Sequence, residues 1–228
     1  MKQIIAIFIS LALNLMPATG RADTLKLAVQ KIESEWARIH YNVAKKQQIT
    51  AFKKLLAEVK GLNAQYPNQA ELIIQQAIIV ASNADNIDPF NALQAVHQAR
   101  DLLLRAIELD QNASEGAAYV TLGTLYYMVP SWPIAYGDND KAQVMLKKAL
   151  AINPNTIDAN YFYGEFLVTR GKQKEAMAYF KRAIAIPVRD TQMFADMQLH
   201  RQAKLAMQES SQALAFNKKI FSVAYGEK

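Results

Sequence analysis

The 228-residue chain has no cysteine, only eight glycines and seven prolines, and two tryptophans. Each scarcity excludes something. Without cysteine there is no disulfide framework, no thiol nucleophile and no acylated lipobox, so stability must come from packing. The prolines stand at 17, 67, 89, 130, 133, 154 and 187, which leaves long stretches between breakers. No segment beyond the N-terminus approaches the roughly 20 uninterrupted apolar residues of a membrane helix. The nearest, Leu72 to Ala81, contains Gln75 and Gln76. The formal net charge of +6 is spread along the chain without a basic block, which argues against nucleic-acid binding.

What is present begins with Met1-Lys2 and the apolar run Ile4 to Leu13, too short to span a bilayer and followed by Asn14, Pro17 and Gly20. This is the pattern of a secretory signal peptide. The small residues of Gly20-Arg21-Ala22 predict cleavage after Ala22, with Ala18-Thr19-Gly20 in reserve. The mature chain from Asp23 is then expected to be soluble and periplasmic, and losing Lys2 and Arg21 takes its formal charge from +6 to +4.

Between the prolines, apolar residues recur at helical spacing, as in Leu146, Ala149, Leu150 and Ile152, and no period-two strand stands out. The helices also repeat. From Ile157 to Val188, Asn160, Tyr163, Gly164 and Leu167 are followed by a turn at Gly171 and by Ala176, Phe180, Ala183 and Pro187. That is close to the tetratricopeptide pattern W-x2-L-G-x2-Y, A-x3-F, A, P, in which small residues sit where two antiparallel helices cross. Tyr119, Leu122, Gly123 and Tyr126, then Ala142, Leu146, Ala149 and Pro154, form the preceding unit. Its crossing residues lie nineteen positions apart (Gly123 to Ala142), against twelve in the later unit (Gly164 to Ala176), which places an insertion at Met128 to Gly137. A more degenerate unit has Ala77, Val80, Ala99, Leu103 and Ala106 around an enlarged turn from Asn83 to Asn91. A worn first pair has Trp36, Ile39, His40 and Val43, then Phe52, Leu56 and Val59. The expected fold is all-α, with tetratricopeptide-type helix-turn-helix repeats forming a short right-handed superhelix. Its expected divisions are a signal peptide over 1–22, N-terminal helices over 23–68 and a repeat core over 69–190. A capping helix from Thr191 to Met207 and a tail, with room for one more helix, fill 191–228.

The segments Val129-Pro130-Ser131-Trp132-Pro133 and Asn160-Tyr161-Phe162-Tyr163-Gly164 make the stretch from Ala70 to Arg201 resemble a family of bacterial exported tetratricopeptide proteins. These are related to the TatT-like component associated with TRAP transporters. The resemblance implies a periplasmic helical protein that cooperates with a substrate-binding subunit, and it supplies no catalytic residues.

Repeat geometry puts Asp158, Tyr161 and Glu165 of one unit, and Val120, Thr124 and Tyr127 of another, on the inner surface of the superhelix. There they meet a peptide or small polar ligand, or simply pack on the next helix. Trp132 and Tyr136, with Pro130 and Pro133, form an aromatic cluster on the insertion, either for recognition or as a plug folded back over a groove. Gly137-Asp138-Asn139-Asp140 lacks the ligand series of a calcium loop and reads as a helix N-cap. His40, His97 and His200 fall into no metal spacing. No nucleophile elbow, phosphate loop or dinucleotide fingerprint is present. The sequence therefore predicts a non-enzymatic adaptor for a protein or peptide partner in the cell envelope, without cofactor or metal. A small-ligand-binding component of a TRAP-type transporter is the alternative.

Overall fold

Wherever apolar residues follow the 3.6-residue period the chain is helical, and it bends where proline or glycine stands. The computed structural model describes residues 18–225, with side chains over 22–215. Most of the expected signal peptide, including its apolar run, and the last three residues lie outside the described residues. Nine α-helices follow among them: α1 (Ala18–Asn42), α2 (Lys45–Gln65), α3 (Ala70–Ala84), α4 (Pro89–Leu109), α5 (Ala117–Met128), α6 (Asn139–Ile152), α7 (Ile157–Thr169), α8 (Gln173–Ala185) and α9 (Met193–Tyr225). They pack as four consecutive antiparallel pairs, α1/α2 to α7/α8, closed off by α9. The described residues contain no strand, only a single bridge between Ser131 and Gly137.

Small residues set the crossings. A Cβ on Gly164 would lie 2.6 Å from Cε1 of the fully buried Phe180, so only glycine lets α7 meet α8 at this distance. In α5/α6 a Cβ on Gly123 would lie 2.7 Å from Cγ of Leu146. Ala77 and Ala99, both fully buried, do the same for α3/α4. In α1 the equivalent place holds His40, stacked on Trp36 at 5.2 Å, which is why the first pair looks worn in sequence. It is held by Gln48 instead. This buried side chain donates from Nε2 to the carbonyls of Ile39, His40 and Val43 at 2.9–3.1 Å and satisfies the C-terminus of α1.

Two expectations differ in extent. The enlarged turn at Asn83–Asn91 is only the four residues Asp85–Asp88, because Asp88 caps α4 by accepting from the Asn91 amide and Pro89 fits its first turn. The expected stop near Met207 is absent, and α9 runs for 33 residues because neither proline nor glycine occurs between Met193 and Tyr225.

Candidate functional site

The first helices of the pairs, α1, α3, α5 and α7, lie side by side along the inner surface, and α9 continues the row. The row closes on itself. Helix α9 returns to α1, where Phe194 meets Tyr41 edge-on at 6.1 Å and Gln192 Nε2 donates to Glu33 at 2.8 Å. Glu33 also accepts from Gln75 of α3 at 2.9 Å. The inner surface, expected to meet a partner, is thus bordered where α9 and α1 meet.

Arg189, in the connection between α8 and α9, ties α9 to α7 and to the turn at Glu115. Its guanidinium donates to Asp158 of α7 at 2.9 Å and to Asp196 of α9 at 2.6 Å, and it lies 3.8 Å from Glu115. Its main-chain amide also donates to Asp196 at 2.8 Å. Burial works against the charge on Arg189, but Asp196 and Asp158 outweigh it and hold its pKa above the ordinary arginine value. Glu115 reaches the cluster from a turn in which Ser114, Glu115 and Gly116 all adopt positive φ, 47°, 57° and 83°. Asp158, predicted for the inner surface, is thus one arm of a structural clamp.

The other predicted inner residues come together. Tyr161 is buried, and Thr124, Tyr127 and Glu165 are half-buried. Glu165 lies one turn beyond Tyr161 along α7, and its charge acts on the hydroxyls of both Tyr161 and Tyr127 of α5. Burial pushes the hydroxyls of Tyr127 and Tyr161 above their ordinary values and raises the carboxyl of Glu165. Thr124 is turned to its own helix, donating to the Val120 carbonyl at 2.9 Å, and Val120 is buried in the packing. The sequence reading missed Tyr41, which joins from α1 and whose hydroxyl burial pushes up to about 12. Its signal was register: Tyr41 follows His40 as Glu165 follows Gly164.

The insertion, Val129 to Asp138, stands apart from these residues, and its two aromatics part company. Tyr136 turns inward, donating to the Val96 carbonyl of α4 at 2.8 Å, with Arg100 over its ring at 4.8 Å and Tyr126 and His97 at its edges. The Gly137 amide donates to the Pro130 carbonyl at 2.9 Å, and a Cβ on Gly137 would collide with the Val129 oxygen. Trp132, joined to Pro133 by a cis peptide, is carried on this frame and is 85% exposed. Asp138 ends the loop as the N-cap of α6, accepting from the amides of Asp140 and Lys141. Among the described residues no cluster of three or more histidines and carboxylates is placed to hold a metal.

A pocket of about 630 Å³ opens beside Arg189, where Asn153, Thr156, Arg182 and Pro187 line the turns at the ends of α6 and α8. It includes none of the inner tyrosines and does not reach Trp132.

Comparison with known proteins agrees with the paired helices. A tetratricopeptide-repeat family model matches residues 134–195, which span α6, α7 and α8. TTC0263, a thermophilic tetratricopeptide protein of Thermus thermophilus, superposes with a TM-score of 0.53 at 16% identity. The match covers 78% of this chain and 99% of that one. The fold is a tetratricopeptide superhelix. Two crystal structures of MamA also align, at TM-scores of 0.43 and 0.42 and identities of 19% and 18%. The first covers 77% of this chain and 95% of that one, the second 85% and 97%. No curated protein matches the chain. Within the tetratricopeptide frame, Gly123 and Gly164 are the crossing residues of its third and fourth repeats.

Proposed function

We propose that the protein is a periplasmic, non-enzymatic adaptor that engages a protein or peptide partner in the cell envelope. The observation that carries this reading is Trp132, 85% exposed at the tip of a loop whose other aromatic, Tyr136, is anchored on α4. Large exposed aromatics on rigid supports are the usual anchors of interfaces, because little side-chain freedom is lost when they are covered. Met128 and Ile134, 65% and 64% exposed, widen the apolar tip. Tetratricopeptide arrays characteristically bind along their inner surface. Here α1 and α9 meet at the border of that surface, and the outer loop adds an exposed contact of its own. The export pattern of the first 22 residues supports the periplasmic setting.

The test is co-purification from the native cell envelope, read by native mass spectrometry. The wild-type protein is expected to retain a protein partner, and Trp132→Ala to lose it with unchanged helical circular dichroism. Retention of the partner by Trp132→Ala would remove the loop from the assignment, and absence of any partner would remove the adaptor.

A second reading, a small-ligand-binding component serving a TRAP-type transporter, is favoured by one observation. The inner surface carries Tyr127, Tyr161 and Glu165, polar and aromatic groups of the kind that line small-molecule sites. The resemblance of Ala70 to Arg201 to TatT-like proteins supports it.

A further inference from the structure

The pocket of about 630 Å³ beside Arg189 lies where α6 turns into α7 and where α8 ends. Neither the inner tyrosines nor the Trp132 loop line it. Its charged walls are Arg182, Arg189 and Glu115, and Ile157, Ile186 and Pro187 give it an apolar side.

The clamp uses only part of Arg189. Its Nε donates to Asp196 at 3.0 Å, and its Nη2 donates to Asp158 at 2.9 Å and to Asp196 at 2.6 Å. Nη1 meets Glu115 alone, at 3.8 Å, which is beyond hydrogen-bond reach. Arg182 takes part in none of the ion pairs among the described residues. Its guanidinium lies over the ring of Tyr179 at 5.2 Å, which steadies the group without neutralising it.

Two guanidinium edges without an acceptor, lining one pocket, suit a carboxylate, because its planar pair of oxygens matches the arginine fork. The charge that such a ligand can bring is limited. Glu115 shares the pocket, and Asp158 and Asp196 stand behind Arg189, so a dianion would meet like charge. The apolar side favours a ligand whose remainder is hydrocarbon.

We propose that this pocket binds an apolar monocarboxylate. Arg182 and Nη1 of Arg189 take its oxygens, and its hydrocarbon part lies on Ile157, Ile186 and Pro187. The site goes beyond the proposed function and does not depend on the Trp132 loop. The carboxylate has two possible sources, a free organic acid or the C-terminus of a polypeptide.

The test is isothermal titration of the purified protein with four probes: 4-methylpentanoate, acetyl-Gly-Gly-Leu with a free C-terminus, the same peptide capped as an amide, and inorganic phosphate. One or both carboxylates are expected to bind, and the amide and phosphate to fail. Binding of 4-methylpentanoate without the peptide assigns a free acid, whereas binding of the peptide assigns a polypeptide C-terminus. Arg182→Gln leaves the clamp intact and is expected to weaken binding by roughly tenfold. Ala185→Phe fills the pocket from an exposed position on its rim and is expected to abolish binding, both variants keeping their helical signal. Trp132→Ala is expected to bind these probes as the wild type does, which separates this site from the loop. Failure of both carboxylates, equal binding of the capped peptide, or wild-type affinity in Arg182→Gln would overturn the proposal. Phosphate binding in place of the carboxylates would mean an adventitious ion only and would overturn it as well.

Discussion

The third and fourth helix pairs use the same crossing and are finished differently. In both, a glycine in the first helix accepts a large residue of the second, Leu146 over Gly123 and Phe180 over Gly164. In the fourth pair the helices are joined by the short turn Arg170–Lys172, and α7 is tied through Asp158 and Arg189 to α9. The third pair has ten residues, Val129 to Asp138, between its helices and lifts Trp132 into solvent. The crossing therefore defines the repeat, while the connections carry what is particular to this protein.

Cutting the tie of the fourth pair should have the largest effect. Arg189→Ala leaves Asp196, which is fully buried, without its cation. Breaking a buried pair by removing one partner costs about 3–5 kcal/mol, read as a lower denaturation midpoint. Asp196→Asn in the Arg189→Ala background should recover part of the loss, because the unpaired charge is then removed. If Arg189→Ala were neutral, the clamp would not hold α9, and the two pairs would differ only in their loops.

The crossings themselves come next. Gly164→Ala drives a methyl group into the stiff ring of Phe180, whereas in Gly123→Ala the obstacle at 2.7 Å is the more flexible side chain of Leu146. Overpacking a filled core costs about 1–3 kcal/mol, so both variants should be destabilised, with Gly164→Ala nearer the upper end. Equal losses in urea denaturation would mean that Phe180 yields as easily as Leu146.

How much of this was legible in sequence follows the range of the contacts. Crossing glycines, helix boundaries and the insertion are local and periodic, so Gly123, Gly164 and the excess spacing to Ala142 announced them. The Asp138 cap was legible for the same reason, lying two and three residues from the amides it accepts. The closure has no period. Glu33 and Gln192 are separated by 159 residues, and the acids that meet Arg189 come from a turn, α7 and α9. A charged side chain on a helix looks solvated until a distant partner arrives. The predicted inner surface accordingly contained Tyr127, Tyr161 and Glu165 but not Tyr41, and nothing in it announced that α9 returns to α1. In the loop, sequence grouped Trp132 with Tyr136, and only the hydrogen bond to Val96 separates anchor from tip.

A smaller effect tests that separation. Tyr136→Phe keeps the ring between Tyr126, His97 and Arg100 and removes only the bond to the Val96 carbonyl. It should cost about 1 kcal/mol in global stability and increase amide exchange near Gly137. Trp132→Ala, by contrast, should leave stability unchanged within about 0.5 kcal/mol. A loop indifferent to Tyr136→Phe would be held by the Pro130–Gly137 frame alone.

The smallest effect lies at the residue following each crossing glycine, Thr124 in the third pair and Glu165 in the fourth. Burial raises the folded-state pKa of Glu165 above its ordinary 4.5, so the folded protein holds this proton more tightly than the unfolded chain. The associated stability is complete below the unfolded pKa and is lost as pH rises through the folded one. Glu165→Gln cannot titrate. Its denaturation midpoint should therefore gain on the wild type between pH 4 and pH 7.5, by under about 1 kcal/mol because solvent still reaches and screens the carboxylate. A gap that does not change with pH would mean that Glu165 ionises as freely as in water. Glu165→Thr should behave as the Gln variant does, since it gives the fourth pair the uncharged residue of the third. The position would then be revealed as one where the fourth pair carries a desolvated carboxylate at the expense of stability, as sites shaped for binding commonly do.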